Sequence, residues 1–323
     1  MSVLILSEAE LREYVRMNLE TLAEVEKAFT WLESGKVAMP PVMHVEVDHQ
    51  SDVDIKSAYV KGESGFAVKM ASGFFGNTSI GLPSSSGMVV LLSSKTGFCQ
   101  AVFLDNGYLT DLRTGLAGAI AAKYLAKNRV STVGVVGTGG QARYQIESLA
   151  LVRSFDRLLV VGRSQEGAER YVQDMRARLS LEVQIAPSVE SLVRESEIIV
   201  TTTPSKEPVI LSEWLRSGTH VTAMGADLPG KQEVDDLIWE KADLRVCDSI
   251  AQCAIGGELQ HYQGHKEINL IELGQITSGA KSGRKSDDQI TFCDLTGTGV
   301  QDTAVGLAAY RAALSAGVGA FID

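Results

Sequence analysis

The stretch Val133-Gly134-Val135-Val136-Gly137-Thr138-Gly139-Gly140-Gln141-Ala142 constrains this chain more than any other. The apolar run from Thr132 to Gly137 predicts a strand, and the residues from Gln141 predict a helix. The turn between them reads GxGxxA, and each small residue has a physical reason. Gly137 permits the tight turn, Gly139 lets the backbone approach a pyrophosphate, and Ala142 keeps the helix against the sheet. Thr138, Gly140 and Gln141 complete a loop at a helix N-terminus, whose open N–H groups and positive dipole end attract phosphate. Further strands are predicted at Leu158–Gly162, Leu181–Ile185, Glu197–Thr203 and His220–Gly225, with helices between them, one from Gln165. They are largely apolar, as parallel strands covered on both faces must be. The fold class is therefore α/β, with a doubly wound Rossmann-type dinucleotide domain over residues 126–296.

The texture before Val130 is different. Ser7-Glu8-Ala9-Glu10 reads as a capping box, and Asn18 caps a second helix with Leu22, Val25, Phe29 and Leu32 at helical spacing, ended by Gly35. Short β-like runs follow at Val45–Asp48, Asp54–Val60, Phe66–Met70, Met88–Ser93 and Cys99–Leu104, with a hairpin turn at Ser94-Lys95-Thr96-Gly97. A small-residue helix is expected from about Asp111 to Lys127. After Ser249 the chain reads as irregular until a strand at Ile290–Leu295 and an Ala-rich helix from Gln301 to Ala316, expected to pack on the first region. Residues 1–125 and 297–323 thus form an α+β domain suited to substrate binding or oligomerisation. Ser278–Ser286 is the best candidate for a mobile loop.

Composition removes several function classes. The 323 residues carry 30 Lys and Arg against 40 Asp and Glu, a net charge of −10, which is wrong for a nucleic-acid backbone binder. No apolar stretch approaches membrane-spanning length, and Val3–Leu6 is too short for a signal-peptide core. The four cysteines form no CxxC pair, which suits reduced thiols in a cytoplasmic protein. His261 and His265 stand at i and i+4, but Gly264 disfavours a helix there and no third ligand is evident, so no metal is expected.

The end of the second strand selects the cofactor. A carboxylate there would hold the ribose 2′-hydroxyl of NAD. This chain has Gly162-Arg163-Ser164 instead, which favours NADPH and leaves NADH open.

At this point the chain resembles the ornithine cyclodeaminase/mu-crystallin family. The resemblance runs through Phe66-Ala67-Val68-Lys69, Leu109-Thr110-Asp111-Leu112-Arg113-Thr114, Gly137–Ala142, Gly225-Ala226-Asp227-Leu228-Pro229-Gly230-Lys231-Gln232-Glu233 and Asp294-Leu295-Thr296-Gly297. Met39-Pro40-Pro41 and the run Asp294–Asp302 look most like the branch associated with ectoine utilisation. The resemblance implies a dinucleotide domain inserted into a substrate domain that forms a homodimer. It implies hydride transfer between a nicotinamide and the Cα of an amino or imino acid. Lys69 and Arg113 match the family's carboxylate-holding pair, and Asp227 its acid/base residue. Ser84 and Ser86 stand where hydroxyls approach the nicotinamide and its phosphates, and read equally as loop serines. Thr202, Thr203, Met224, Gly225 and Thr296 would line the cofactor cleft, with Arg113 beside it, and Thr296 and Gly297 would also face the substrate.

Two positions depart from the ornithine-processing pattern. Thirteen residues before Lys69, where those members carry an acid facing the distal ammonium, stands Lys56. A lysine there repels a diamine and suits a second carboxylate, as in iminosuccinate; the alternative is an edge-strand lysine facing solvent. His44 stands where an arginine often grips the substrate carboxylate, and reads either as its weaker replacement or as an ordinary surface or core histidine. The expected activity is NAD(P)H-dependent reduction of a small imino acid. A redox-neutral cyclodeaminase and an NADPH-dependent binding protein like mu-crystallin are the alternatives.

Overall fold

The computed structural model describes residues 2–264 and 267–323. By contacts the chain divides into two compact units, residues Met1–Arg113 with Thr298–Asp323, and residues Thr114–Gly297. The Tyr108–Leu125 helix belongs to both. Its later turns carry Gly115 and Gly118, where an added Cβ would strike Tyr144 and Gln145 of the Gly140–Leu149 helix. That close helix contact assigns the helix's later half to the second unit, so the division falls twelve residues before the expected boundary at 125/126.

The first unit is an eight-stranded sheet in the order Ala320–Ile322, Val3–Ser7, Cys99–Leu104, Ser85–Ser93, Gly65–Phe74, Ser51–Val60, Val37–Ala38, with Met43–Asp48 also paired to Ser51–Val60. Its pairs are antiparallel except Val3–Ser7 with Cys99–Leu104. The Gly299–Ala316 helix lies on one face, joined by Ala28 of the Leu19–Glu33 helix in a core with Ala58, Val60, Val300 and Ala304. Thr303 locks helix to sheet: its hydroxyl accepts from Ala67 N at 3.0 Å and donates to Ala58 O at 2.6 Å. Gly299 is required at the helix start, because a Cβ would sit 2.6 Å from the Ser57 carbonyl. Ser7 and Glu10 form the capping box, and Asn18 accepts from Thr21 N at 2.8 Å.

The second unit is an all-parallel eight-stranded sheet in the order Glu182–Ile185, Arg157–Val161, Thr132–Val136, Ile198–Thr201, His220–Ala223, Thr291–Asp294, Leu244–Cys247, Leu270–Glu272. The order reverses at Thr132–Val136, which opens a crevice at the carboxyl ends of the strands. Apolar clusters cover both faces, one around Trp239 and Phe292, the other around Val133, Ile146 and Tyr171. This is the doubly wound dinucleotide fold.

Two expectations are corrected. The chain after Ser249 is not irregular: helices Ile250–Gly256 and Leu273–Thr277 flank the strand Leu270–Glu272, which with Leu244–Cys247 extends the sheet. The Ser278–Ser286 stretch is tied down rather than loose. Arg284 donates to the carbonyls of Leu125, Gln289, Gly218 and Thr219 and to the Thr291 hydroxyl, and burial lowers its pKa. Among the described residues no helix is long and apolar enough to cross a membrane.

Candidate active site

The first unit gathers its charged candidates on one face of the sheet. Lys69 on the Gly65–Phe74 strand and Lys56 on the Ser51–Val60 strand are direct cross-strand partners, so both side chains leave the sheet on the same side. Arg113 arrives from the Tyr108–Leu125 helix and Asp302 from the Gly299–Ala316 helix. Arg113 Nε donates to Asp302 Oδ1 at 3.0 Å, and Lys69 Nζ lies 3.6 Å from Asp302 Oδ2. Lys69 is 2% exposed, Arg113 4% and Lys56 6%, so three cationic side chains share an interior. Lys56 is therefore not an edge-strand lysine in solvent. Burial pulls the Lys69 pKa down to about 7. Asp302 and Asp54 resist that shift, while the charges of Arg113 and Lys56 reinforce it.

His44, exposed on the Met43–Asp48 strand, pairs through Nδ1 with the buried Asp54 at 2.8 Å. That contact orients the ring and links it to the cationic cluster only through Asp54. Ser86 and Ser84 lie at the end of the paired strands Gly65–Phe74 and Ser85–Ser93, where their carbonyls accept from Ser72 Oγ and Phe74 N. Asp105 holds the start of the Tyr108–Leu125 helix by accepting from Leu109 N at 2.8 Å. Burial raises its carboxyl to about 6, helped by the negative charge of Asp302.

In the second unit the glycine loop behaves as its spacing demands. Gly137 has φ +115° and a Cβ there would collide with Thr202, so no other residue fits. Gly139 begins the Gly140–Leu149 helix with no side-chain cap, and a Cβ at Gly139 or Gly140 would meet nothing within 4 Å. The helix N-terminus is thus open. Arg143 Nη1 donates to the carbonyls of Thr138 at 2.8 Å and Gly139 at 3.0 Å, which fixes the turn. Gln141 is half-buried in the first helical turn. At the next strand end, Gly162 packs on Thr138, and a Cβ would lie 2.6 Å from its methyl. Arg163 is exposed on the bend that follows, and Ser164 caps the Gln165–Arg178 helix by accepting from Gly167 N at 3.1 Å. An open helix N-terminus, a glycine cradle and the accessible Arg163-Ser164 pair fit a dinucleotide.

Thr202, Thr203, Met224 and Gly225 follow the carboxyl ends of the two strands next to this loop, and Met224 N donates to Thr201 O at 3.1 Å. Asp227 stands four residues past His220–Ala223, half-buried, with Lys231 Nζ 2.7 Å from its Oδ1. Thr296 and Gly297 are held by Asp248, whose Oδ2 accepts from both backbone N–H groups at 2.9 and 2.7 Å. Burial raises the Asp248 pKa against those donors.

Sequence reasoning missed Asp302, Asp54, Asp248 and Glu233. The available signal was polarity in the wrong place: Gln301, Asp302 and Thr303 interrupt an otherwise small and apolar helix. Cys247, Cys253 and Asp294 bring three potential ligand atoms within 4.8 Å of one another. Burial raises the Cys253 thiol well above its usual range and so opposes the thiolate that a metal needs. His261 is engaged with Lys231 O at 2.7 Å, and its sequence companion His265 lies outside the described residues.

Comparison with known proteins places this architecture. An archaeal alanine dehydrogenase dimer with bound NAD superposes with a TM-score of 0.90 at 36% identity, covering 100% of this chain and 99% of that one. The Δ1-pyrroline-2-carboxylate reductase of Thermococcus litoralis, solved with NADH and L-proline, gives 0.93 at 30% identity, over 99% and 100% of the two chains. The iminosuccinate reductase of Paracoccus denitrificans, solved with NAD+, gives 0.90 at 28%, over 100% of both. The sequence model of the ornithine cyclodeaminase/mu-crystallin family matches residues 1–317. The chain belongs to that family, and is an enzyme of its imino-acid reductase and cyclodeaminase class.

Proposed function

We propose that this enzyme reduces a small imino acid bearing a second carboxylate, with a nicotinamide cofactor in the second unit. The observation that carries the reading is the buried cross-strand pair Lys56 and Lys69 beside Arg113. Like charges directly opposite on a sheet repel, and an anion between them relieves that repulsion. Arg113, already oriented by Asp302, grips one carboxylate with its planar fork, and Lys69 adds a point charge. Lys56 takes the second carboxylate and, by the same charge, disfavours a diamino acid. When bound, the reduced nicotinamide supplies hydride to the C=N carbon. Asp227 delivers the proton that the nitrogen gains, and Lys231 at 2.7 Å holds its carboxyl in place.

The related structures were solved with NAD+ or NADH, whereas Gly162-Arg163-Ser164 brings no carboxylate to a 2′-hydroxyl and offers a cation instead. We therefore assign NADPH as the preferred cofactor and NADH as the slower one. The exposed apolar residues Met43, Val45 and Val47 along one strand suit a homodimer contact of the kind named for the archaeal alanine dehydrogenase. The reduced state of its four free cysteines suits the cytoplasm.

A spectrophotometric screen tests the reading. Iminosuccinate formed from oxaloacetate and ammonia, Δ1-pyrroline-2-carboxylate, and pyruvate with ammonia are each offered with NADPH and NADH. Fastest consumption with the dicarboxylic imine supports the assignment. Preference for the cyclic imine or for the pyruvate imine removes Lys56 from the substrate site.

A further inference from the structure

Glu233 sits on the three-residue strand Gln232–Val234 and is 0% exposed. Its carboxylate gathers groups from the ends of two neighbouring parallel strands. Oε1 accepts from Thr203 N, while Oε2 accepts from the Thr201 hydroxyl at 2.6 Å and from Gly225 N at 2.7 Å. Glu233 is itself pinned, since its own N–H and that of Val234 donate to the Glu258 carboxyl at 2.8 and 3.2 Å. The Gly225 contact spans eight residues and closes the segment 225–233 into a clasped loop. Asp227 and its partner Lys231 both lie on that loop. Gly225 has no room for a side chain, because a Cβ would strike Thr203 O and come within 2.7 Å of Glu233 Oε1.

We infer that Glu233 is a positioning residue that binds the Thr201–Thr203 strand end and the Asp227 loop into one rigid piece, so that the cofactor-lining backbone and the proton donor keep a fixed separation. The inference rests on the reading of Asp227 as that donor. The carboxylate is suited to the task because bonds from N–H and O–H donors to a charged acceptor are shorter and stronger than neutral ones. Thr201, Thr203 and Gly225, which supply the donors that this carboxylate holds, belong to segments that border the site. Burial pushes the Glu233 carboxyl up, and the hydrogen bonds from Thr201, Thr203 and Gly225 act to keep it ionised. A glutamine keeps the shape, but replaces one acceptor oxygen with an NH2 group that faces a donor.

The test uses the full chain with the imino acid that the substrate screen identifies. Glu233→Gln is expected to lower kcat about ten- to a hundredfold, the scale of a catalytic group displaced by about 1 Å. It is also expected to weaken NADPH binding, read by titration of the cofactor's fluorescence. Thr201→Val removes one donor without touching the carboxylate, and is expected to lower kcat by a few-fold only. The decisive readout is a double-mutant cycle with Asp227→Asn. If Glu233 acts through Asp227, adding Glu233→Gln to Asp227→Asn changes kcat less than about twofold. Fully multiplicative losses overturn the inference, as does a Glu233→Gln protein that melts earlier but keeps its kcat and cofactor affinity. If Asp227→Asn alone leaves kcat intact, the donor assignment fails instead, and the cofactor titration then decides whether Glu233 positions the strand end.

Discussion

The first unit buries cations and carboxylates together, the second buries carboxylates with no buried lysine or arginine among its described residues, and the two handle that charge differently. The first encloses Lys56, Lys69 and Arg113 with Asp54, Asp105 and Asp302, so cations and carboxylates offset one another side chain to side chain. The second encloses Glu233, Asp248, Glu258 and Asp294, and among its described buried residues there is no lysine or arginine. Its acids are answered by backbone N–H groups, threonine hydroxyls and protonation. Burial lifts Asp294 to about 8 and Glu258 to about 9. Buried cations are a place for an anionic ligand, whereas acids that collect N–H groups shape loops. On the proposed reading, one unit recognises and the other positions.

The sharpest way to break that contrast is to remove the acid that the second unit positions. Asp227→Asn should lower kcat by about 10²- to 10⁴-fold, the usual contribution of general acid catalysis, with cofactor affinity unchanged. An equal loss of cofactor binding would make Asp227 part of the scaffold rather than its cargo. In the first unit, Arg113→Met leaves the Asp302 carboxylate buried with Lys69 as its remaining cation at 3.6 Å. Breaking a buried pair in this way costs about 3–5 kcal/mol, measured by chemical denaturation. Asp302→Asn in the same chain should restore most of the stability and none of the activity. Restored activity would mean that Arg113 serves the fold alone.

How much of this was legible in the sequence follows the same division. The glycine loop was readable because its reasons are local: Gly137 needs its φ of +115° and Gly162 needs room beside Thr138. The capping residues Ser7 and Asn18 were readable on the same grounds. Leu244–Cys247 and Leu270–Glu272 were not, since strands of three or four residues carry no periodicity and exist because the sheet edge beside them offers partners. The Ser278–Ser286 stretch has the composition of a loose loop, and it is tied down by long-range bonds such as the reach of Arg284 to Leu125, 159 residues earlier, that no local spacing announces. Lys69 and Arg113 were named through resemblance, but their partner Asp302 lies 189 residues beyond Arg113, and nothing in local spacing joins them.

The titration of the two clusters sharpens the comparison with a sign. Asp294 and Glu258 have folded pKa values raised above those of the unfolded chain, so their contribution to folding is full below the unfolded values of about 4, falls as pH rises, and is gone once pH passes about 8 and 9. Asp294→Asn mimics the protonated form. The variant should exceed the parent's melting temperature by a margin that grows between about pH 5 and about pH 9, reaching on the order of 5 °C at the upper end. Equal melting curves at both pH values would show that Asp294 is ionised in the folded protein, and the second unit would then hold a charge that its N–H groups alone must balance.

Lys69 gives the smallest effect and the most specific one. Its folded pKa is lowered to about 7, so in the free enzyme its cation fades just above neutrality, while a bound carboxylate favours the charged form. Substrate binding therefore takes up a proton, and KM for the imino acid should rise as pH rises. A group titrating at about 7 is roughly half protonated at about pH 7 and about one-tenth protonated at about pH 8, which predicts a rise in KM of roughly fivefold between them. Cofactor affinity should stay flat over the same interval, because the phosphate contacts proposed for the glycine loop are backbone N–H groups, which do not titrate. Lys69→Arg supplies a cation that never deprotonates in this range, and its KM should lose the pH dependence even if the longer side chain binds less well. A pH-dependent KM that survives Lys69→Arg would assign the titration to another group and leave the first unit's cations as permanent charges, with no tuning by burial.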